Sequence, residues 1–373
     1  LAVPIAMSMV AACGDDGCGS GCGGSAPTDV ELRVEDYITG LDHPWDIAWL
    51  PNGTMLVTER AGPLNVFTDG ADAAPTEIPF TDLLSTGGEG GLMGLEVDPR
   101  FEENGYVYVC LASQAGPESD VRVARLTMSR PSADIVEDRT DIVTGMPHND
   151  GSRGRHSGCR PRFGPDGFLW VGTGDAAMGT TPQDDESLGG KVLRVTRDGD
   201  PAPDNPGGRL WYSKGHRNIQ GIAFRSDGVG MSVEHGPSID DEVNPLVSGN
   251  FGWDPVPGYN ESVPMTDLDK FPDAVEAAWS TGSPTLALAG ATFLEGEQWG
   301  NLEDVLAIAT LKASHLHVLD VDAEGNAESR GRLIEDQGRL RTARQGPDGL
   351  LYLTTDRRSD GDRVLRVTPV PVD

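Results

Sequence analysis

A chain of 373 residues has room for two or three domains of ordinary size, or for one large sandwich, barrel or propeller. Gly (49) and Pro (27) make up about a fifth of it, which is turn-rich but short of the roughly 25–30% that marks low-complexity chains. Its formal charge of −30, from 29 Lys and Arg against 59 Asp and Glu, repels phosphate backbones and anionic lipid and excludes nucleic-acid binding.

Residues 1–12, LAVPIAMSMVAA, are apolar but much shorter than the about 20 residues that span a bilayer, and they lack a basic start. They read as the remnant of a signal peptide. The junction Val10-Ala11-Ala12-Cys13-Gly14 is similar to a bacterial lipobox, which predicts a lipid-bearing Cys13; an ordinary secretory signal cleaved nearby is the other reading. Both imply export, to the periplasm or cell envelope, with the membrane met only through a lipid anchor. Residues 13–29 form a Gly-rich tether whose Cys18 and Cys22 lack a nearby His to complete a metal site. The chain has no C-x-x-C-H haem-attachment motif. Cys110 and Cys159 are compatible with a disulfide or with two buried thiols.

Residues 30–373 read as one domain built on a repeat. A turn ending in Gly is followed by a short alternating strand, as in PNGTMLVTE, ENGYVYVCL, PDGFLWVGT, SDGVGMSVE, WGNLEDVLAIA and PDGLLYLTT. The repeat glycines are Gly53, Gly105, Gly167, Gly228, Gly300 and Gly349, spaced by 52, 62, 61, 72 and 49 residues. Strand-like runs precede most copies (DIAWL, LMGLEV, RPRF, GIAF, TARQ) and follow them (PLNVFTD, VARLTM, KVLRVTRDG, HLHVLDVD, RVLRVTP). Six four-stranded antiparallel units without a helical layer predict an all-β, six-bladed β-propeller, with a large two-sheet sandwich as the alternative. Pairing of 31–38 with 363–367 is expected to close the ring.

Four segments depart from the repeat. RHSGCRPRFGPDG places His156 between Arg155 and Arg160, and positive neighbours favour the neutral imidazole that a general base requires. YSKGHRNIQGIAF gathers His216, Arg217, Asn218 and Gln220 before a strand, a density of donors that suits a polar ligand. SVEHGPSIDDEVN sets Asp240, Asp241 and Glu242 in a row after His235-Gly236-Pro237. Such a run is either a solvated loop or an oxygen-rich Ca²⁺ site, though without EF-hand spacing. Lys312, with Arg339 and Arg341 two residues apart on a strand, offers cations to a polyanion.

HSGCR before GPDG, GHRNIQG, VEHGPSIDDEVN with NFGW behind it, TLK, and GRLRTAR before GPDGLLYL occur in the order seen in the soluble glucose/sorbosone dehydrogenase family, and GEGGLMGLEVDPRF also resembles it. The likeness runs from about residue 41 to 367. It implies a six-bladed propeller that binds pyrroloquinoline quinone (PQQ) and Ca²⁺ on one face and oxidises aldoses or related carbonyl sugars. Lys312, Arg339 and Arg341 then become counter-ions of the PQQ carboxylates, with Asn218 and Arg160 among the cofactor contacts. The Gly236 and Pro237 carbonyls would hold the cofactor Ca²⁺. Asp241, Glu242 and the Phe251 carbonyl would bind a second, structural Ca²⁺. His156 takes the role of base and Arg217 that of stabilising the oxygen that gains negative charge. An external cytochrome or quinone would receive the electrons.

This chain departs from the pattern at Cys159 and Pro161 beside the base. It also departs at Arg155, where glucose-oxidising relatives have an acid, and at Glu89, where they have an amide. Arg155 and Glu89 are therefore expected at the substrate, and sugar contacts are expected to differ from those made to glucose. Two other functions compete: a metal-dependent propeller lactonase, disfavoured by the cationic residues, and a non-catalytic propeller that binds a glycan or a protein.

Overall fold

Each repeat glycine closes a turn between the first two strands of a sheet. At Gly53 and Gly167, φ is +89° and +78°, a left-handed conformation that costs glycine little and other residues more. The computed structural model describes residues 29–372 apart from 69, 72, 86–87, 131–132, 153 and 357–360. The expected signal remnant and most of the tether, including Cys13, Cys18 and Cys22, lie outside the described residues.

The strands form six antiparallel sheets of four, the third with a short parallel addition, Gly249–Asn250 beside Trp211–Lys214. Their first strands are Pro44–Trp49, Leu92–Val97, Arg160–Phe163, Ile219–Phe224, Leu288–Phe293 and Leu340–Gln345. Each packs against the first strands of its two neighbours, so the six make a closed ring around an axis. The molecule is a six-bladed β-propeller, and the sandwich alternative falls. The sixth blade is completed by the amino-terminal strand Val30–Leu41, paired antiparallel with Asp362–Pro371 (Val34 opposite Val367). Among the described residues the one α-helix is the single turn Phe101–Asn104.

Burial explains the strand patterns. Inner strands have neighbours on both faces and read as apolar runs, as in Pro44–Trp49, whereas the outermost strand of blade 5, Ala327–Leu333, is half exposed and polar. Where inner strands converge, glycine lets backbones approach. A Cβ on Gly94 would lie 2.4 Å from the Cys159 carbonyl oxygen, and one on Gly221 would lie 2.5 Å from that of Ala289. Cys110 and Cys159 are disulfide-bonded, with Cα atoms 5.9 Å apart, which staples blade 2 to the segment leading into blade 3.

Charge fills the axis. Asp46, fully buried, pairs with Arg160 (2.8 Å) and Arg162 (3.0 Å), and Glu96 pairs with Arg344 (2.7 Å). Burial pushes the Asp46 carboxyl up, but the guanidiniums of Arg160, Arg162 and Arg344 outweigh it and hold it well below the usual carboxylate range. Trp45 stacks beneath the Arg160 guanidinium at 4.2 Å.

Inner strands run from one rim toward the repeat-glycine turns at the other. The segments that depart from the repeat all precede first strands or follow second strands, so the topology brings them together on the first rim.

Candidate active site

His156 stands at the head of blade 3 with φ +58°, a conformation that strains a residue carrying a side chain. Its Nδ1 lies 2.6 Å from Asp175 Oδ1, which follows the second strand of the same blade. Tyr259 and Trp253 donate to the other carboxylate oxygen at 2.9 and 2.8 Å. Burial and the Asp175 charge push the Tyr259 hydroxyl up, so it remains a donor. A carboxylate that accepts at Nδ1 assigns the proton there and leaves the lone pair on Nε2. The Arg155 Nε–H donates to that Nε2 at 3.1 Å.

Glu261 joins Arg155 to Arg217, at 2.5 and 2.6 Å. Burial pushes its carboxyl up, but both arginines outweigh that and hold it below the ordinary range. Arg217 also donates to the His235 carbonyl oxygen (2.9 Å), which ties the head of blade 4 to the Gly236-Pro237 loop. Glu89, from the loop before blade 2, accepts from the His156 N–H (2.8 Å) and from Asn218 Nδ2 (3.3 Å). From Asn218 the chain of bonds continues through Gln220 (3.1 Å) to Arg341 (3.1 Å). Arg341 and Arg339 meet at Asp356. Arg341 pairs with it at 2.7 Å, and Arg339 Nε donates to its backbone oxygen at 2.9 Å. Burial pushes Asp356 up, yet Arg341, Arg339 and Arg60 bring it down to about 2. Arg339 also donates to the Leu311 carbonyl oxygen (3.1 Å), beside Lys312, whose Nζ bonds Thr285 Oγ1 (2.9 Å).

His156, Arg155, Arg217, Asn218, Glu89, Lys312, Arg339 and Arg341 thus share one rim. Arg160 does not belong with them. It is fully buried in the axial charge network, donating to the Gln220 carbonyl oxygen (2.8 Å) and Thr342 Oγ1 (3.0 Å) as well as pairing with Asp46. It supports the floor beneath the rim, and its Nη2 is buried without a protein partner.

The three consecutive acids diverge. Asp240 accepts from Ser280 Oγ (2.8 Å). Asp241 is fully buried. Its carboxylate accepts the N–H groups of Gly236, Leu286 and Ala287 at 2.8, 2.7 and 2.6 Å, which braces the Gly236 loop against the segment entering blade 5, whose Leu286 carbonyl oxygen accepts the Lys312 N–H at 3.0 Å. Glu242 is buried beside Glu234; burial first, then the Glu234 charge, push it well above the usual range. Asn244 donates to both carboxylates while its Oδ1 is buried without a partner. Phe251 packs its ring against His216 at 4.5 Å, and His216 bonds Glu234 at 2.8 Å, so Phe251 adjoins the same pocket.

Of the other histidines, His216 is locked between Ser213 and Glu234, and His148 is buried beside Asp150 (3.1 Å). His156 alone has a buried carboxylate behind it and a partly exposed arginine in front. Asp175, Tyr259, Glu261 and Asp356 belong to the site without having been marked as site residues in the sequence. Asp175 ends a strand in GTGDAAMG, where an acid among glycines was the available signal. Tyr259 and Glu261 come from a long Pro-rich loop with no motif. A groove lined by Asp166, Trp170, Arg194, Tyr212 and Phe224 opens at the opposite rim, away from this constellation.

The family model for glucose/sorbosone dehydrogenase matches residues 41–366. The aldose sugar dehydrogenase YliI of Escherichia coli is 32% identical over 92% of this chain and 94% of its own length. Quinoprotein glucose dehydrogenase B of Acinetobacter calcoaceticus is 30% identical over 60% of this chain and about half (52%) of its own. The PQQ-bound aldose sugar dehydrogenase of Streptomyces coelicolor superposes with a TM-score of 0.75 at 29% identity, covering 93% of this chain and 100% of that one. With its propeller, its cationic rim and a match spanning nearly every blade, the chain belongs to the glucose/sorbosone dehydrogenase family of oxidoreductases.

Proposed function

We propose that the protein is a PQQ- and Ca²⁺-dependent dehydrogenase that oxidises an aldose or related carbonyl sugar. His156 acts as base, and an external cytochrome or quinone receives the electrons. The observation that carries this reading is a carboxylate-backed imidazole sharing one rim with Arg217, Lys312, Arg339 and Arg341. The rim suits a polyanionic cofactor. Arg217 Nε and His235 Nε2 are buried without protein partners, as expected of groups that meet a polar ligand. The Glu234–Glu242 pair with the orphaned Asn244 Oδ1 suits a cation, and Glu242 with the Phe251 carbonyl would hold the structural Ca²⁺. Gly236 and Pro237 carbonyls would hold the other Ca²⁺.

When bound, PQQ supplies the quinone that accepts hydride and Ca²⁺ its polarisation. The protein's part is acid–base and positional. Nε2 of His156 takes the proton of the sugar hydroxyl, which displaces Arg155 from that nitrogen. Asp175 holds the ring and stabilises the imidazolium that results. Arg217 faces developing negative charge, while Arg155 and Glu261 border the substrate and Glu89 holds the base loop in place. Titrating PQQ with Ca²⁺ into purified protein should change the cofactor's absorbance and start sugar-dependent dye reduction. Folded protein that does neither would overturn the proposal.

Export follows as part of the same proposal, with Cys13 as the lipidated residue of a periplasmic or envelope lipoprotein. The buried Cys110–Cys159 disulfide supports an oxidising compartment. Cys13→Ser should move the protein from the membrane fraction to the soluble one; unchanged membrane retention counts against lipidation.

A further inference from the structure

His315 and His317 lie at the head of the third strand of blade 5, Leu316–Val321, two positions apart and therefore on one face. Their rings are tilted by 50° with centroids 5.6 Å apart, and His315 Nε2 lies 3.4 Å from His317 Nδ1. That separation is long for an N–H···N hydrogen bond. It matches the edge of a tetrahedral site, in which two nitrogens at about 2.0–2.1 Å from Zn²⁺ stand roughly 3.3–3.4 Å apart. The outer nitrogens are already engaged. His315 Nδ1 faces the Ala313 carbonyl oxygen at 3.3 Å, and His317 Nε2 faces Ser329 Oγ at 3.0 Å. Donation outward to these oxygens assigns a proton to each outer nitrogen and leaves a lone pair on each inner one, the tautomers that second-sphere hydrogen bonds select in ligating histidines.

We propose that His315 Nε2 and His317 Nδ1 form a binding site for a divalent transition-metal ion of the zinc and copper class, with water completing its coordination.

The surroundings are set for this. Trp279 stacks on the His317 ring at 4.9 Å and fixes its plane. The preceding turn is closed by Thr310, which exchanges bonds with His315 through its Oγ1 at 2.7 and 3.0 Å, and Ser314 adopts φ +57° to make it. Both residues are buried, at 6% and 8% exposure, so a bound ion would be held largely out of bulk water. Imidazole nitrogen favours Zn²⁺ and Cu²⁺ over Ca²⁺, which separates this site chemically from the oxygen-lined pockets of blade 4.

Equilibrium dialysis of the full chain against Zn²⁺, with Ca²⁺ in excess and the thiols alkylated, tests the assignment. His315→Ala and His317→Ala should each bind one equivalent fewer than wild type. Ser329→Ala should weaken that equivalent by about 10-fold or more, since the outer hydrogen bond is lost while both ligands remain. Should the His variants fail to fold, wild type carries the test alone: Cu²⁺ with ascorbate should oxidise His315 and His317, as read by peptide mass spectrometry. Equal stoichiometry in wild type and folded variants, or oxidation that spares both residues, would overturn the site and leave the pair as a plain imidazole–imidazole contact.

Discussion

His156 and Asp175 are 19 residues apart in the chain and 2.6 Å apart in space, and the pair carries the proton chemistry of the proposed reaction. His156→Ala should abolish sugar-dependent dye reduction while PQQ titrates as in wild type, because a base acts in the transition state and contributes little to holding the cofactor. Asp175→Asn should retain the fold and lose about 10²–10⁴ in kcat, since the ring keeps its place but not its charge stabilisation. Substantial turnover by His156→Ala would move the role to another residue. The cations make a second prediction, in which Lys312 and Arg341 part company. Lys312→Ala should weaken PQQ binding more than tenfold with the melting temperature unchanged, as a charge-assisted contact contributes about 1.5–3 kcal/mol. Arg341→Ala should weaken binding and also destabilise the protein, because buried Asp356 loses its 2.7 Å partner. Wild-type affinity in both variants would place the cofactor elsewhere.

Among elements, the inner strands meet at the axial network of Asp46, Arg160, Arg162, Glu96 and Arg344, and this sets how firmly the rim is supported. Asp46→Asn leaves buried Arg160 without a charged partner and Arg162 with only Glu96, at 3.5 Å, and should cost about 3–5 kcal/mol. Its pH signature has a definite sign. Asp46 has a folded pKa depressed below its unfolded value of about 3.9, so its contribution is complete above that pH and is lost as the pH falls through the folded value. Wild type should therefore lose stability relative to Asp46→Asn below about pH 4, and the two should differ by a constant amount at neutral pH. Denaturant titrations of both at several pH values measure this; a gap that persists undiminished in acid would remove Asp46 as its source. The disulfide acts at the same scale, tying Cys110 of blade 2 to Cys159, three residues beyond the base, so blade packing and base position are joined covalently.

Ring closure by Val30–Leu41 makes the whole propeller one cooperative body, and ion binding in blade 4 should be felt throughout it. Exhaustive EDTA treatment should lower the melting temperature and Ca²⁺ should restore it, because Glu234 and Glu242 repel one another unless a cation lies between them. An unchanged melting temperature after verified metal removal would count against the Ca²⁺ sites. The fold was legible in the chain itself, since a turn glycine followed by period-2 apolar strands, six times over, is a local pattern repeated; the repeat did not dictate the closing pair of strands, which the structure supplies as Val30–Leu41 beside Asp362–Pro371. The cationic rim was legible as well, because Lys312, Arg339 and Arg341 are anomalies in an acidic chain. What lay beyond the sequence was which oppositely charged group each residue meets. Only the tertiary structure set Asp175 behind His156, Glu261 between Arg155 and Arg217, and Asp356 under Arg341. It also drew Arg160 down to Asp46 and turned Asp241 onto three backbone N–H groups. Strand patterns are governed by burial, which neighbouring residues record. Charge partners are chosen across blades tens to hundreds of residues apart, as Arg160 and Asp46 are, where loop geometry decides which side chains meet.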